Sequence, residues 1–268
     1  MATTTQLLLS ELYTAYFNRA PDAAGLAYWE GQLNNGSMDF DAIAQNWANE
    51  QPEFVQTYGA NPDPDTLINK VYQNVLGRDP DSDGATYWSE QLANGNVSTS
   101  ALIEAVVAGA KAPTGSAQDA QLLQNKATVG VKVAEAGIDD IAFAKKVVQA
   151  VSADTNTVGV VTGLIEVAKA DTTALATATQ TLDAVHTMLT TLPTDTLETT
   201  IANLKSIIVS MVAEVSAGNI ADVGATLQAT TVTVEAATQD PTYIEDPLTI
   251  ASTITSDPEE LPRQMQRL

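Results

Sequence analysis

The chain has 268 residues, with 33 acids against 12 bases for a formal net charge of −21, no cysteine and one histidine. Such a field repels nucleic acid and anionic membranes, and the missing thiols exclude disulfides, thiolate metal sites and cysteine nucleophiles. Hydrophobic residues make up 44% of the chain, enough for a core, yet no run is long and apolar enough to read as a membrane span.

The acids are spread evenly: residues 1–114 carry 14 acids and 4 bases, and the remainder carries 19 and 8. The first segment, MATTTQLLLSELY, has no basic leader and no small-residue cleavage site, so a cleaved secretory signal peptide is not expected. Residues 6–18 predict an amphipathic helix, with Leu8, Leu9, Leu12, Tyr16 and Phe17 at helical spacing. Then comes Arg19–Leu33, RAPDAAGLAYWEGQL, which recurs 59 residues later as Arg78–Leu92, RDPDSDGATYWSEQL. Both copies hold Arg, Pro-Asp, Gly, Tyr-Trp and Gln-Leu at the same spacing, and Asn35-Gly36 and Asn94-Gly95 follow them. A tandem repeat of this regularity outranks other signals in setting the architecture.

Pro21 and Pro80 suit the first turn of a short helix, with Asp79 as N-cap and Asp81 in the first turn. The Asn-Gly pairs mark where those helices stop. A helix through Ala42, Ile43, Trp47 and Ala48, capped by Asp39 or Asp41, runs to Pro52. Tyr58–Pro64 reads as a linker, with Asn61, Asp63 and Asp65 as linker and cap residues. The second unit repeats the pattern through Leu67, Val71, Tyr72, Val75 and Leu76, then Leu102, Ile103, Val106 and Val107 behind Thr99 or Ser100. Lys111–Ser116, holding Pro113 and Gly115, is the expected domain boundary.

Gly77–Trp88 resembles the GR-x-P-D-x-x-G-x-x-Y-W motif of the DUF4214 family, and Asn18–Trp29 is a degenerate form of it. The resemblance covers about residues 8–110, and 121–140 is similar to a segment that often follows this family's repeats. It implies a helical domain similar to that of phycobilisome linkers, in secreted bacterial surface-layer proteins and adhesins that often carry calcium-binding repeats. It implies no catalytic residues. With no cleaved signal in view, it implies export by a route such as type I secretion, and an extracellular or cell-surface location.

Past residue 116 tryptophan vanishes and Ala, Thr and Val dominate. Helices are predicted over 118–136, 139–152 and about 158–170. Leu197, Ile201, Leu204, Ile208, Met211 and Val215 then alternate by four and three, a heptad seam. Leu175, Ala178, Leu182, Val185, Leu189 and Leu192 fit upstream, and Ile220, Val223, Leu227 and Val234 downstream. The expected architecture is all-α: a duplicated helical domain over 1–114, an antiparallel bundle over 115–239, and an extended or disordered tail over 240–268.

Three groups of residues are candidates for chemistry. Asp79, Asp81, Asp83, Gly84 and Glu90 match the spacing of an EF-hand loop, in which alternate oxygen ligands converge on calcium. The first copy keeps the surrounding motif with Ala20, Asp22, Ala24 and Gly31 at those positions, so helix capping is the competing reading. Tyr28, Trp29, Tyr87 and Trp88 are either core or carbohydrate-stacking platforms, with Trp29 and Trp88 the stacking candidates. His186 lies among apolar residues and reads as structural. No nucleophile elbow, phosphate loop or zinc signature is present, and an enzyme is not expected. The function expected is a self-associating structural protein of the bacterial exterior, as a surface layer or filament; the resemblance implies that it uses calcium and anchors to surface polysaccharide. The alternatives are a carbohydrate-binding adhesin module and a linker-type scaffold.

Overall fold

A computed structural model describes residues 2–60, 62–218, 227, 228, 230, 231, 234 and 235. Among them twelve helices form and no strand does, so the protein is all-α. Two compact units divide the chain, Met1–Ala153 and Asp154–Leu268.

The sequence offset of 59 is also a structural offset. The first copy supplies α1 (Thr4–Phe17), α2 (Ala23–Asn34), α3 (Phe40–Glu50) and α4 (Pro52–Tyr58). The second supplies α5 (Pro64–Leu76), α6 (Ser82–Ala93) and α7 (Thr99–Lys111). Helices α2 and α6 coincide end to end at that offset. Helix α1 stops at Asn18 and α5 at Gly77, both left-handed, with φ of 50° and 66°. Asn18 is the one described non-glycine residue at positive φ, and asparagine tolerates it better than most side chains.

Helix α1 is the centre of the first unit. Leu9, Tyr13, Tyr16 and Phe17 are buried on it, while Leu8 and Leu12 are only half-buried. Trp47 of α3 meets the Tyr13 and Phe17 rings at 4.7 and 4.8 Å between centroids and Tyr16 at 5.9 Å. Tyr58 closes the cluster by donating its hydroxyl hydrogen to the Ala15 carbonyl. Burial raises the phenols of Tyr13, Tyr16 and Tyr58 above their ordinary range.

The first unit runs beyond the boundary expected at 111–116. The peptide N–H of Gly115 bonds the Ala112 carbonyl at 2.8 Å, making that stretch a tight turn. Helix α8 (Ala117–Ala136) returns along α1, and α9 (Ile141–Gln149) packs on α8. The approach is close: a Cβ on Gly130 of α8 would collide with the Ser10 hydroxyl of α1. Ion pairs add to this packing, Lys111 at the end of α7 to Glu11 of α1 at 2.6 Å and Arg78 after α5 to Asp119 of α8 at 2.7 Å. The Ala20 peptide N–H also bonds the Ala144 carbonyl of α9 at 3.0 Å.

In the second unit α10 (Thr155–Ala168) packs against both α11 (Thr172–Thr191) and α12 (Thr194–Ser216). Helix α10 is apolar around most of its circumference, burying Val160, Val161, Leu164, Ile165 and Val167, as a helix with neighbours on several sides must be. The heptad seam of α12 is buried at Ile201, Leu204, Ile208 and Met211. Gly163 of α10 lets Ile208 approach where a Cβ would collide. On α11, Ala178, Leu182 and Val185 are buried as the spacing predicts. The Thr181 and Thr231 hydroxyls share a hydrogen bond. Of the downstream seam, Leu227 and Val234 are buried; Ile220, Val223 and the tail at 240–268 lie outside the described residues.

Candidate functional site

The duplicated motif is the natural place to look for function, and most of its side chains hold the fold. Each copy's short helix is capped by the second residue of Pro-Asp. Asp22 accepts from the Gly25 N–H at 2.7 Å and Asp81 from the Gly84 N–H at 2.8 Å. Pro21 and Pro80 therefore sit just before the cap rather than in the first turn, and Asp79 is not the cap. Asp79 instead accepts from the Gln73 amide at 2.6 Å.

The arginine of each copy clamps the chain entering that helix. Arg19 forks onto Glu53 through Nε at 2.7 Å and Nη2 at 3.0 Å, and its Nη1 donates to the Ala20 carbonyl at 2.9 Å. Its guanidinium lies over the Tyr13 ring at 5.1 Å. Arg78 repeats this with Asp119 at 3.2 and 2.7 Å, the Asp79 carbonyl at 3.1 Å and the Tyr72 ring at 5.7 Å. The acid partner differs because Glu53 comes from α4, whereas α8 supplies Asp119 in the second copy. The glycine of the motif is explained as well. The Tyr13 hydroxyl sits where a Cβ on Gly25 would be, and Tyr72 Oη is 3.2 Å from the same position at Gly84.

The Tyr-Trp pairs divide their roles. Tyr28 is 57% exposed and Tyr87 54% exposed, while Trp29 and Trp88 are half-buried against the core. Within each pair the rings meet edge to face at 4.8 Å. The ring offered to solvent is thus the tyrosine, not the tryptophan, and the same presentation occurs twice.

The four residues of the EF-hand-like spacing are not brought together. Residues 82–93 are helical, so Asp83 and Glu90 lie two turns apart on α6, about 10 Å along its axis. Asp81 is occupied as a cap and Asp79 by Gln73. A calcium loop must curl its ligands around one point, and a helix starting at the fourth ligand-spacing residue prevents that. Among the described residues no group of three His, Asp or Glu side chains could hold a metal. His186 is half-buried on α11.

Grooves lie between the helices. One of about 450 Å³ between α5 and α6 is lined by Asp65, Asn69, Thr86 and Glu90. Another of about 440 Å³ is formed by α3, α4 with its following loop, and the start of α7. Its polar walls are Gln45, Asn49, Ser98, Thr99 and Ser100, with Phe54 and Tyr58 behind them. Sequence reading missed this second groove, because its walls come from three separated segments. The available signal was a change between copies: Asp39-Phe40-Asp41 becomes Ser98-Thr99-Ser100 at the 59-residue offset.

The geometry defines a duplicated all-α repeat domain whose motif residues cap, clamp and pack its helices. Residues 2–51 and 44–111 match the family model described as "Domain of unknown function (DUF4214)", and this part of the chain is a DUF4214-type repeat domain. No curated protein and no solved structure matches the chain. No helix among the described residues is long and apolar enough to cross a membrane.

Proposed function

We propose that this chain is a non-catalytic structural protein of the bacterial cell exterior, which self-associates into a surface layer or filament and anchors to surface polysaccharide. The observation that carries the reading is the twofold presentation of an exposed tyrosine, Tyr28 and Tyr87, on equivalent helices of a tightly packed scaffold. A site offered twice on one chain favours multivalent contact, because the second engagement is effectively intramolecular. Tyrosine is also the residue type that gives large contact area at small entropic cost.

Calcium enters this reading through charge. Two copies at −21 repel each other, and divalent cations weaken that repulsion without a dedicated loop. In this reading the means is screening of surface charge and not a loop built from Asp79, Asp81, Asp83 and Glu90.

A second reading, a carbohydrate-binding module, also draws on Tyr28 and Tyr87, since exposed aromatic rings stack on sugar faces. Sedimentation velocity separates the two. Assembly predicts concentration-dependent large species that Tyr28→Ala with Tyr87→Ala dissolves. A monomer at every concentration, with or without calcium, would contradict assembly.

A further inference from the structure

The groove between α3, α4 and α7 differs in chemistry from three others among the described residues. The α5–α6 groove carries Asp65 and Glu90; grooves in the second unit carry Asp183 and Glu235, or Glu166 and Lys169. Among the described residues the α3–α4–α7 groove has no carboxylate and no amine in its lining, although the chain has 33 acids.

Comparison of the two copies shows that this neutrality is local. Positions 39 and 98 are equivalent at the repeat offset, as are 41 and 100, and 45 and 104. In each pair the member outside the groove is acidic: Asp39, Asp41 and Glu104. The member lining it is neutral: Ser98, Ser100 and Gln45. At 98 and 100 a hydroxyl stands where the first copy has a carboxylate, and the Glu104 carboxylate is held by the Ser100 and Tyr16 hydroxyls at 3.0 and 3.3 Å.

The amides are also free to act. Gln45 and Asn49 lie one turn apart on α3, both exposed, and neither side chain bonds a described residue. Two amides at that spacing present paired donors and acceptors along one wall. Opposite them Ser98 caps α7 through the Ala101 N–H at 3.2 Å, with Thr99 beside it. Phe54 and Tyr58 are buried behind, and the Tyr58 hydroxyl is committed to Ala15, so the floor is rigid. A volume of about 440 Å³ suits a ligand of a few sugar rings.

We infer that this groove binds a neutral oligosaccharide segment, its hydroxyls paired with the Gln45 and Asn49 amides and the Ser98 and Thr99 hydroxyls. Anionic glycans are opposed by the −21 field with no base in the groove to offset it. A cation finds no carboxylate there. The inference rests on the polysaccharide-anchoring part of the proposed function and gives that part a location distinct from Tyr28 and Tyr87.

The test is calorimetric titration of the full chain with neutral hexose and N-acetylhexosamine tetrasaccharides, with uronate tetrasaccharides as comparators. The expected result is binding of a neutral member and none of the uronates. Gln45→Ala with Asn49→Ala should weaken it about tenfold or more, because two hydrogen-bonding side chains are lost. Both side chains are exposed on α3, so the tryptophan emission of the double variant should match the parent. Tyr28→Ala with Tyr87→Ala should leave the affinity unchanged. Binding that survives loss of the amides but not of the tyrosines overturns the groove assignment while polysaccharide binding stands. No heat with any neutral saccharide overturns both the groove and the anchoring, and leaves self-assembly to be judged separately by sedimentation.

Discussion

Replacing Arg19 with methionine keeps the side-chain stem and removes the fork. Glu53 then loses both hydrogen bonds, the Ala20 carbonyl loses its donor, and the Tyr13 ring loses its cation. The Arg19 side chain is 10% exposed and that of Glu53 21%, so the abandoned carboxylate is poorly hydrated. Removing one partner of a buried pair costs about 3–5 kcal/mol, and the partial exposure of Glu53 trims this to about 2–4 kcal/mol. Arg78→Met provides the internal comparison. Its side chain is 44% exposed, and Asp119 keeps support from the first turn of the long α8, so the loss is about 1–2 kcal/mol. All three tryptophans, Trp29, Trp47 and Trp88, lie in the first unit. Urea unfolding followed by tryptophan emission therefore reads that unit without interference from the second. With a slope of about 2 kcal/mol per molar urea, Arg19→Met should lower the midpoint by roughly 1–2 M. Arg78→Met should lower it by about half as much. Equal shifts for the two, or a shift below about 0.3 M for Arg19→Met, would refute the reasoning from burial.

Gly25→Ala should destabilise the first unit by about 1–3 kcal/mol, although alanine is the better helix former, because its methyl meets the Tyr13 hydroxyl. Adding Tyr13→Phe should recover part of the loss in the same urea assay, and Gly84→Ala should cost less than Gly25→Ala. Lys126 is buried and donates to the Asn74 carbonyl at 2.8 Å. Burial lowers its pKa from 10.5 to about 8. Between those values the unfolded chain holds a proton that the folded chain has released, so stability rises with pH, by about 2 kcal/mol from pH 8 to pH 10. Lys126→Met should abolish that rise. From about pH 9 the raised phenols of Tyr13, Tyr16 and Tyr58 act in the opposite direction and offset about half of that rise by pH 10, since the unfolded chain ionises first. Asp81→Ala should cost about 1 kcal/mol through the lost cap, whereas Asp83→Ala should change stability by less than about 0.5 kcal/mol. Calcium titrations of the parent and Asp83→Ala should superimpose.

Local signals in the sequence were readable and long-range ones were not. The periodicities over 118–136 and 158–170 correspond to α8 and α10 within a few residues. Which unit those helices join was not legible. Pro113 and Gly115 look like a linker, but they form a tight turn, and the partners that dock α8 are remote: Gly130 against Ser10, and Asp119 against Arg78. The Asp-x-Asp-x-Asp-Gly spacing looks like a calcium loop in one dimension. In three dimensions it is a helix start, because Asp81, as a good N-cap, begins α6, which carries Asp83 and Glu90 apart. The Tyr-Trp pair was legible as a unit, but which ring faces outward is set by the core behind it: Trp29 packs on Trp47 at 5.5 Å in the first copy, and Trp88 packs against the core in the second, where Val106 stands at the equivalent of Trp47.

Negative-stain electron microscopy of the purified chain, with calcium and then with EGTA, shows assembly or its absence. Ordered sheets or fibres in calcium that disperse in EGTA are the predicted result, with Asp83→Ala assembling like the parent. Single small particles under both conditions, at concentrations spanning the range used in sedimentation, would contradict it.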